Sequence, residues 1–203
     1  MKIGIIGAGR VGAALGSSWA KQGHEIVFGV RNTSRVDSST NARMASVMEA
    51  AQSSDVVVFA VPWPAVDDAL RSMGDLSGKI LIDATNPLLP DLSGLDTSVG
   101  RSGGELVAFK APGALVVKMF NSTGSGNMAD PVYHGERATM LYCGDDDGAK
   151  KIAARLAAEL GFDPVDAGSL SMSGVLESMA LLWVSLAYRQ GLGPNFAFRL
   201  VRR

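Results

Sequence analysis

Lys2-Ile3-Gly4-Ile5-Ile6-Gly7-Ala8-Gly9-Arg10-Val11-Gly12 opens the chain and runs on into Ala13-Ala14-Leu15. Lys2–Ile6 is a short, largely β-branched run that ends in glycines, so it reads as a buried first strand. From Val11 onward Ala14, Leu15, Ser18 and Trp19 recur at helical spacing until Gly23 closes the helix. Glu25–Val30 then reads as a second strand. G-x-G-x-x-G placed between a strand and a helix has a mechanical meaning. Gly7 allows the tight turn, Gly9 lets a diphosphate approach the backbone, and Gly12 lets helix pack on strand. The free N–H groups and positive end of the helix, from Gly9 through Arg10, Val11 and Gly12, would hold that diphosphate.

Working outward, Asp55 precedes a third strand, Val56–Val61, which Pro62 ends, and Pro64 starts a helix through about Met73. Lys79–Ala84 is the fourth strand, Leu115–Phe120 the fifth, Ala138–Cys143 the sixth and Gly161–Asp166 the last. Thr33–Ala42 reads as a polar loop leading to a short helix around Ser46–Gln52, and Leu88–Gly104 as a long irregular stretch, a class of loop that is often functional. A helix carries Ala149, Ile152, Ala153, Leu156 and Leu160 on one face, and a terminal apolar helix spans Ser173–Arg189. Strands alternating with helices predict an α/β, Rossmann-type doubly wound fold: a mostly parallel sheet with a C-terminal apolar helix. No composition shift or repeat divides the chain, so residues 1–203 are expected to form a single domain.

Apolar residues make up 47% and charged residues 19%, which excludes disorder, and a formal charge of −1 gives no reason to expect nucleic acid or an anionic membrane. Cys143 is the only cysteine, and neither His24 nor His134 has a second ligand at metal-binding spacing, so no metal site is expected. Met1–Ile6 already reads as core strand, leaving no room for a signal peptide, and Met179–Ala187 is about half of a membrane span. The expectation is a cytoplasmic protein that acts on small molecules. Its terminal helix, apolar almost all round, is expected to make a homodimer interface.

The end of the second strand bears on the coenzyme. NAD sites place an acid there to hold the ribose hydroxyls. This chain has Arg31-Asn32-Thr33-Ser34-Arg35 instead, with no acid before Asp37. A guanidinium forks onto a 2′-phosphate and stacks on adenine, and hydroxyls add donors, so the pattern predicts NADP(H).

Ligands of such sheets sit beyond the carboxyl ends of the strands. The candidates are Ala60, Val61, Pro62 and Trp63, then Ala84 through Asn86, Pro87 and Leu88, and finally Asn121, Ser122 and Thr123. Pro62 and Trp63 read equally well as a ledge for a nicotinamide or as a strand stop and core aromatic. No catalytic residue emerges: no Ser-His-Asp set assembles, Tyr133 and Lys150 lack Y-x-x-x-K spacing, and no histidine, lysine or tyrosine reads as poised at these strand ends. Asp145-Asp146-Asp147 fits a helix start better than a metal cluster, Cys143 reads as core, and Glu177 as a rim or interface charge. The stretch 167–203 is too short to add the large helical domain common in hydroxyacid and imine reductases.

These residues together resemble the NADP oxidoreductase, coenzyme F-420-dependent family, and the reductase domain of the six-transmembrane metalloreductases. The resemblance runs through Ile5–Gly12, Gly29-Val30-Arg31-Asn32, Val61-Pro62-Trp63, Ile82–Leu88, Val117-Lys118 with Phe120-Asn121, Cys143–Asp146, Asp166–Leu170 and Leu181-Leu182-Trp183. It implies a dimeric enzyme passing hydride between NADP(H) and a deazaflavin (F-420) or flavin. NADP(H) would lie on Gly9–Gly12, Arg31 and Val61–Trp63, with the ring near Asn86–Leu88 and Asn121–Thr123. Two departures flank the expected acceptor pocket: Gly103-Gly104-Glu105, where relatives usually carry Gly-Ala-Glu, and Ser125-Gly126-Asn127. The alternatives are an NADPH-dependent reductase of a small carbonyl or imine and a non-catalytic NADP(H) sensor.

Overall fold

The computed structural model describes residues 1–31, 42–98 and 100–203. The first strand, β1 (Lys2–Ile6), feeds α1 (Arg10–Lys21), which returns the chain to β2 (Glu25–Gly29). β3 (Ala42–Ala45) and α2 (Val47–Gln52) follow, then β4 (Val56–Phe59), a 3₁₀ turn at Trp63–Ala65, α3 (Val66–Met73) and β5 (Ile80–Asp83). Beyond them come α4 (Gly103–Lys110), β6 (Leu115–Lys118) and α5 (Ser125–Ala129). A hairpin of β7 (Val132–Tyr133) and β8 (Glu136–Arg137) precedes β9 (Thr139–Gly144), α6 (Asp147–Glu159), β10 (Asp163–Asp166) and α7 (Ser173–Val184).

Eight strands lie in the order β10-β9-β6-β5-β4-β1-β2-β3. All neighbours are parallel except β6 and β9. The order reverses at β1, which pairs with β2 on one side and β4 on the other. Two helices leaving that point diverge to opposite faces and open a crevice at the carboxyl ends of β1 and β4, the usual ligand position in an open α/β sheet.

Alternate strand residues feed two cores. Ile3, Ile5, Val56 and Val58 face Leu15 and Trp19 of α1 and Leu156 of α6. Ile6, Val57 and Phe59 face Leu70 and Met73 of α3 and Val107 of α4. Near-continuous apolar strands follow from burial on both sides. Each fully buried side chain of this size contributes about 1.5–3 kcal/mol. Trp19 Nε1 is satisfied by the Leu156 carbonyl at 3.0 Å, which ties α1 to α6.

Several local readings of the sequence change. Ala42–Ala45 is an edge strand rather than the end of a loop, because β2 offers it a free ladder: Val30 N donates to the Ala45 carbonyl at 3.0 Å. The expected irregular stretch Leu88–Gly104 is partly built. Leu88 bridges Leu95, and Gly103 starts a helix whose cap is a reciprocal Ser102/Glu105 box. The S-x-x-E pattern was present at Ser102-Gly103-Gly104-Glu105 as its signal. α5 and the β7–β8 hairpin are too short to leave a period.

The helical run Leu170–Arg189 has 20 residues and mean hydropathy 1.5, so by length and composition it is long enough to cross a membrane, in contrast to the shorter apolar core expected. Its own contacts tie it to the domain. Trp183 packs against Gly124, where an added Cβ would lie 2.5 Å from the indole, and stacks on Phe196 of the returning tail.

Candidate functional site

The crevice at the switch point is a cleft of about 890 Å³ lined by Gly7, Ala8 and Gly9, by Val30 and Arg31, and by Ala60, Val61 and Pro62. β1, β2 and β4 each contribute the residues just past their ends. Gly7 has φ +106°, and its N–H is held by the Gly29 carbonyl at 3.1 Å. An added Cβ on Gly12 would lie 2.0 Å from the Gly7 carbonyl oxygen, so helix and strand touch there. On Gly9 a Cβ would meet nothing within 4 Å. The helix it caps has no side-chain cap and no acid in its first turn. The amide groups of Arg10, Val11 and Gly12 are thus first-turn donors without intrahelical partners, facing a region where an anion fits.

Arg31 is exposed at the cleft's edge. Asn32, Thr33, Ser34 and Arg35 lie outside the described residues. Six lining positions lie outside those expected from the sequence: Met44 and Val47, on β3 and α2 beyond the strand ends considered, and Ala65, Asp68, Ala69 and Ser72 on the 3₁₀ turn and α3, which carry no motif.

Trp63 belongs elsewhere. The 3₁₀ turn separates the first cleft from a second of about 410 Å³, which Trp63 lines with Leu88, Leu89, Pro90, Asp96 and Leu106. Its Nε1 donates to Asp96 Oδ2 at 3.2 Å. Pro87 is buried against the α4 start, its Cδ 3.2 Å from where a Gly103 Cβ would sit. Ala84 is buried, and Ser122 and half-buried Thr123 follow Asn121 at the end of β6. Asn86 and Asn121 are brought together: Asn86 Nδ2 donates to the Asn121 carbonyl at 2.8 Å, and Asn121 Nδ2 to Asn86 Oδ1 at 3.0 Å.

Beneath this pair lies a charge cluster that the sequence reading missed. Lys118 Nζ is 2.9 Å from Asp83 Oδ2 and 2.9 Å from Glu177 Oε1, with all three side chains 0–2% exposed. It also donates to the Thr85 carbonyl at 2.7 Å. Three donors meet three acceptors, so the ammonium is saturated. Burial pulls the lysine pKa down, but the Asp83 and Glu177 carboxylates outweigh it and hold Lys118 above its ordinary value. The second carboxylate has its own compensation: Glu177 accepts from Gly103 N at 3.0 Å and Gly104 N at 2.9 Å, at the positive end of α4.

Two expectations are corrected here. Glu177 is not a rim or interface charge. A lysine does stand at the end of β6, but it is locked in a buried network and cannot exchange protons with a substrate.

The network has a mechanical output. Asp83 Oδ1 accepts from Thr85 N at 2.9 Å and from Thr85 Oγ1 at 2.7 Å, so both carboxylate oxygens and Lys118 clamp the turn that presents Asn86. The Gly103-Gly104 departure belongs to the same cluster. A Cβ on Gly104 would lie 2.4 Å from Ser173 Oγ, so the serine fills the room that a larger residue would need.

The remaining candidates have structural duties. Asp146 caps α6 by accepting from Ala149 N at 2.7 Å, and Asp145 accepts from Leu170 N at 2.8 Å. Burial pushes the Cys143 thiol up, away from the reactive thiolate. His24 is tied to Glu159 at 2.8 Å on the far side of the sheet.

Known proteins share this fold. A candidate F-420-dependent NADP reductase of Arthrobacter sp. FB24 superposes with a TM-score of 0.88 at 29% identity, covering 100% of both chains. A reductive aminase of Aspergillus terreus, in complex with NADPH and ethyl levulinate, shares the fold at 22% identity, with a TM-score of 0.70 over 94% of this chain and 62% of its own. Rat metalloreductase STEAP3 is 30% identical over 182 residues, 89% of this chain and 36% of the metalloreductase. The chain therefore spans about a third of the length of that curated relative. Residues 2–87 match the model of the NADP oxidoreductase, coenzyme F-420-dependent family. Over that segment and in its fold, the chain is similar to this family of NADP-dependent oxidoreductases.

Proposed function

We propose that the chain binds NADP(H) in the larger cleft and passes hydride between it and a deazaflavin (F-420) or flavin ring. The observation that carries the reading is the uncapped start of α1, opening beside Arg31 into a cleft where a Gly9 side chain would meet nothing. First-turn amides would hold the diphosphate, and Arg31 the 2′-phosphate. NADPH supplies a hydride, and solvent supplies the proton that completes the reduced ring. Val61 and Pro62 would support the nicotinamide, and Asn86, Pro87, Leu88 and Asn121 to Thr123 would border the acceptor.

Among the described residues at the ends of β4, β5 and β6, the titratable side chains are Asp83 and Lys118, and both are locked in the buried network. This favours an acceptor that takes hydride without help from a side-chain acid, so the chain's contribution is positioning. The exposed flank of α7 and its extension, with Val175, Leu182 and Tyr188 at 50–56% exposure, would be covered by a second copy in a two-fold dimer.

Anaerobic mixing with NADPH and a panel comprising F-420, riboflavin and FMN tests the reading. Ring reduction at the rate of NADPH oxidation is expected. Failure of all rings alongside reduction of a small carbonyl or imine would replace it with the alternative, and NADPH binding without any turnover would leave a sensor.

A further inference from the structure

The reciprocal pair at the ends of β5 and β6 fixes the sense of both side-chain amides. Asn86 Nδ2 must donate, because its partner is the Asn121 backbone carbonyl at 2.8 Å. The other terminal atom of Asn86 is then its carbonyl oxygen, and only the Asn121 NH₂ can bond it, at 3.0 Å. What remains is Asn121 Oδ1, a carbonyl oxygen with no partner. Among the described residues it is the one buried side-chain polar atom in that state. Asn121 is only 4% exposed. A buried acceptor left unpaired is costly and calls for an explanation, which a donor on a bound ligand would supply.

The backbone beside it supports a functional reason. Phe120 holds φ +61°, a left-handed conformation that a bulky residue rarely adopts. Its ring is held edge-on by Trp19 and Phe162 at centroid distances of 5.6 and 6.2 Å, so the core imposes the conformation from which Asn121 departs. Strain of this kind persists where the surroundings over-determine it, often beside a binding site. The opposite flank is equally fixed, because Asp83 and Lys118 clamp Thr85 next to Asn86.

We propose that Asn121 Oδ1 is a ligand-reading acceptor that takes a hydrogen bond from an amide-type N–H of the hydride-transfer pair, an inference that rests on the function proposed above. Two ligands carry this chemistry: the carboxamide NH₂ of the nicotinamide and the lactam N–H of a deazaflavin or flavin. A ligand group offering only a carbonyl oxygen would face Oδ1 lone pair to lone pair. The residue selects and orients; it transfers no proton.

Calorimetric titration of the whole protein separates the two sources. One arm compares NADP⁺ with its 3-acetylpyridine analogue, in which a methyl ketone replaces the carboxamide. The other compares riboflavin with 3-methylriboflavin in the presence of NADP⁺. In one arm the ligand lacking the N–H should bind about five- to thirtyfold more weakly. That ratio should collapse to about twofold or less in Asn121→Ala, as a ligand–protein double-mutant cycle requires. Asn121→Leu keeps the side-chain volume but offers no acceptor and should lose the discrimination likewise, which decides the matter if the alanine variant does not fold. Equal binding of both members of both pairs by the wild-type protein would overturn the inference, as would discrimination that survives in Asn121→Ala. Wild-type protein that binds no NADP⁺ at all would reject the proposed function itself, a result distinct from binding without discrimination.

Discussion

Replacing Lys118 by Met removes the one positive charge between Asp83 and Glu177 while nearly preserving side-chain volume. At 2.9 Å and an effective dielectric of about 20, each ion pair is worth about 6 kcal/mol of attraction. Desolvation of three charges consumes most of this, so the intact cluster adds little net stability. The variant keeps the desolvation of two carboxylates and loses the attraction. Breaking a buried pair from one side costs about 3–5 kcal/mol, against a typical total stability of about 5–15 kcal/mol. For a domain of this size the melting temperature should fall by about 6–20 °C. Glu177→Gln should cost less, about 1–3 kcal/mol. It leaves Lys118 and Asp83 as a neutral pair but satisfies only one of the Gly103 and Gly104 amides. Urea unfolding followed by far-UV circular dichroism gives both numbers. A Lys118→Met protein within about 1 kcal/mol of wild type, at unchanged urea slope, would refute the argument that this cluster is a closed charge network. The raised pKa adds a second signature. The stabilisation from Lys118 is complete below the unfolded lysine value of about 10.4 and is lost as pH rises through the higher folded value, so Lys118→Met should lose this part of the alkaline instability.

Arg31→Ala should weaken NADPH binding about ten- to a hundredfold and leave NADH nearly unchanged by calorimetry, and equal losses would reject its contact with the 2′-phosphate. Gly9→Val should lower the melting temperature by only about 2–4 °C, the cost of a poorer helix cap, yet lose NADPH binding, whereas Gly12→Ala should unfold more easily, because its Cβ would lie 2.0 Å from the Gly7 carbonyl. Light scattering at micromolar concentration should give a dimer mass for wild type and a monomer mass for Leu182→Glu, and a wild-type monomer would rule out the α7 interface. Single-turnover NADPH oxidation by F-420 or a flavin should be nearly flat between about pH 6 and 8, once the acceptor's own ionisation is corrected for, and slowed by deuterium at the transferred position. A bell-shaped profile would require an acid–base side chain.

The strand–glycine–helix opening and the strand run at Val56–Phe59 were legible because burial on both faces leaves an uninterrupted apolar signal, and because a turn as tight as Gly7–Gly12 tolerates little besides glycine. The expectation placed on Arg31 rests on the absence of an acid, a statement about charge that needs no coordinates, and the structure adds that Arg31 lines the larger cleft. Local patterns also marked the helix caps at Asp146 and Ser102, though the second was overlooked inside a stretch read as loop. Lys118 and Glu177 could not be paired this way. They lie on different elements, and a charged residue in an apolar run carries no mark saying which partner neutralises it. The sequence leaves two readings of Trp63 open for a similar reason. Only the placement of the 3₁₀ turn between two clefts shows that its ring faces Asp96 and Leu88 rather than the glycine loop. Periodicity records whether a side chain is buried. Which groups meet at the ends of β5 and β6, and which single oxygen they leave unpaired, depends on how distant segments close on one another, and only the tertiary structure decides that.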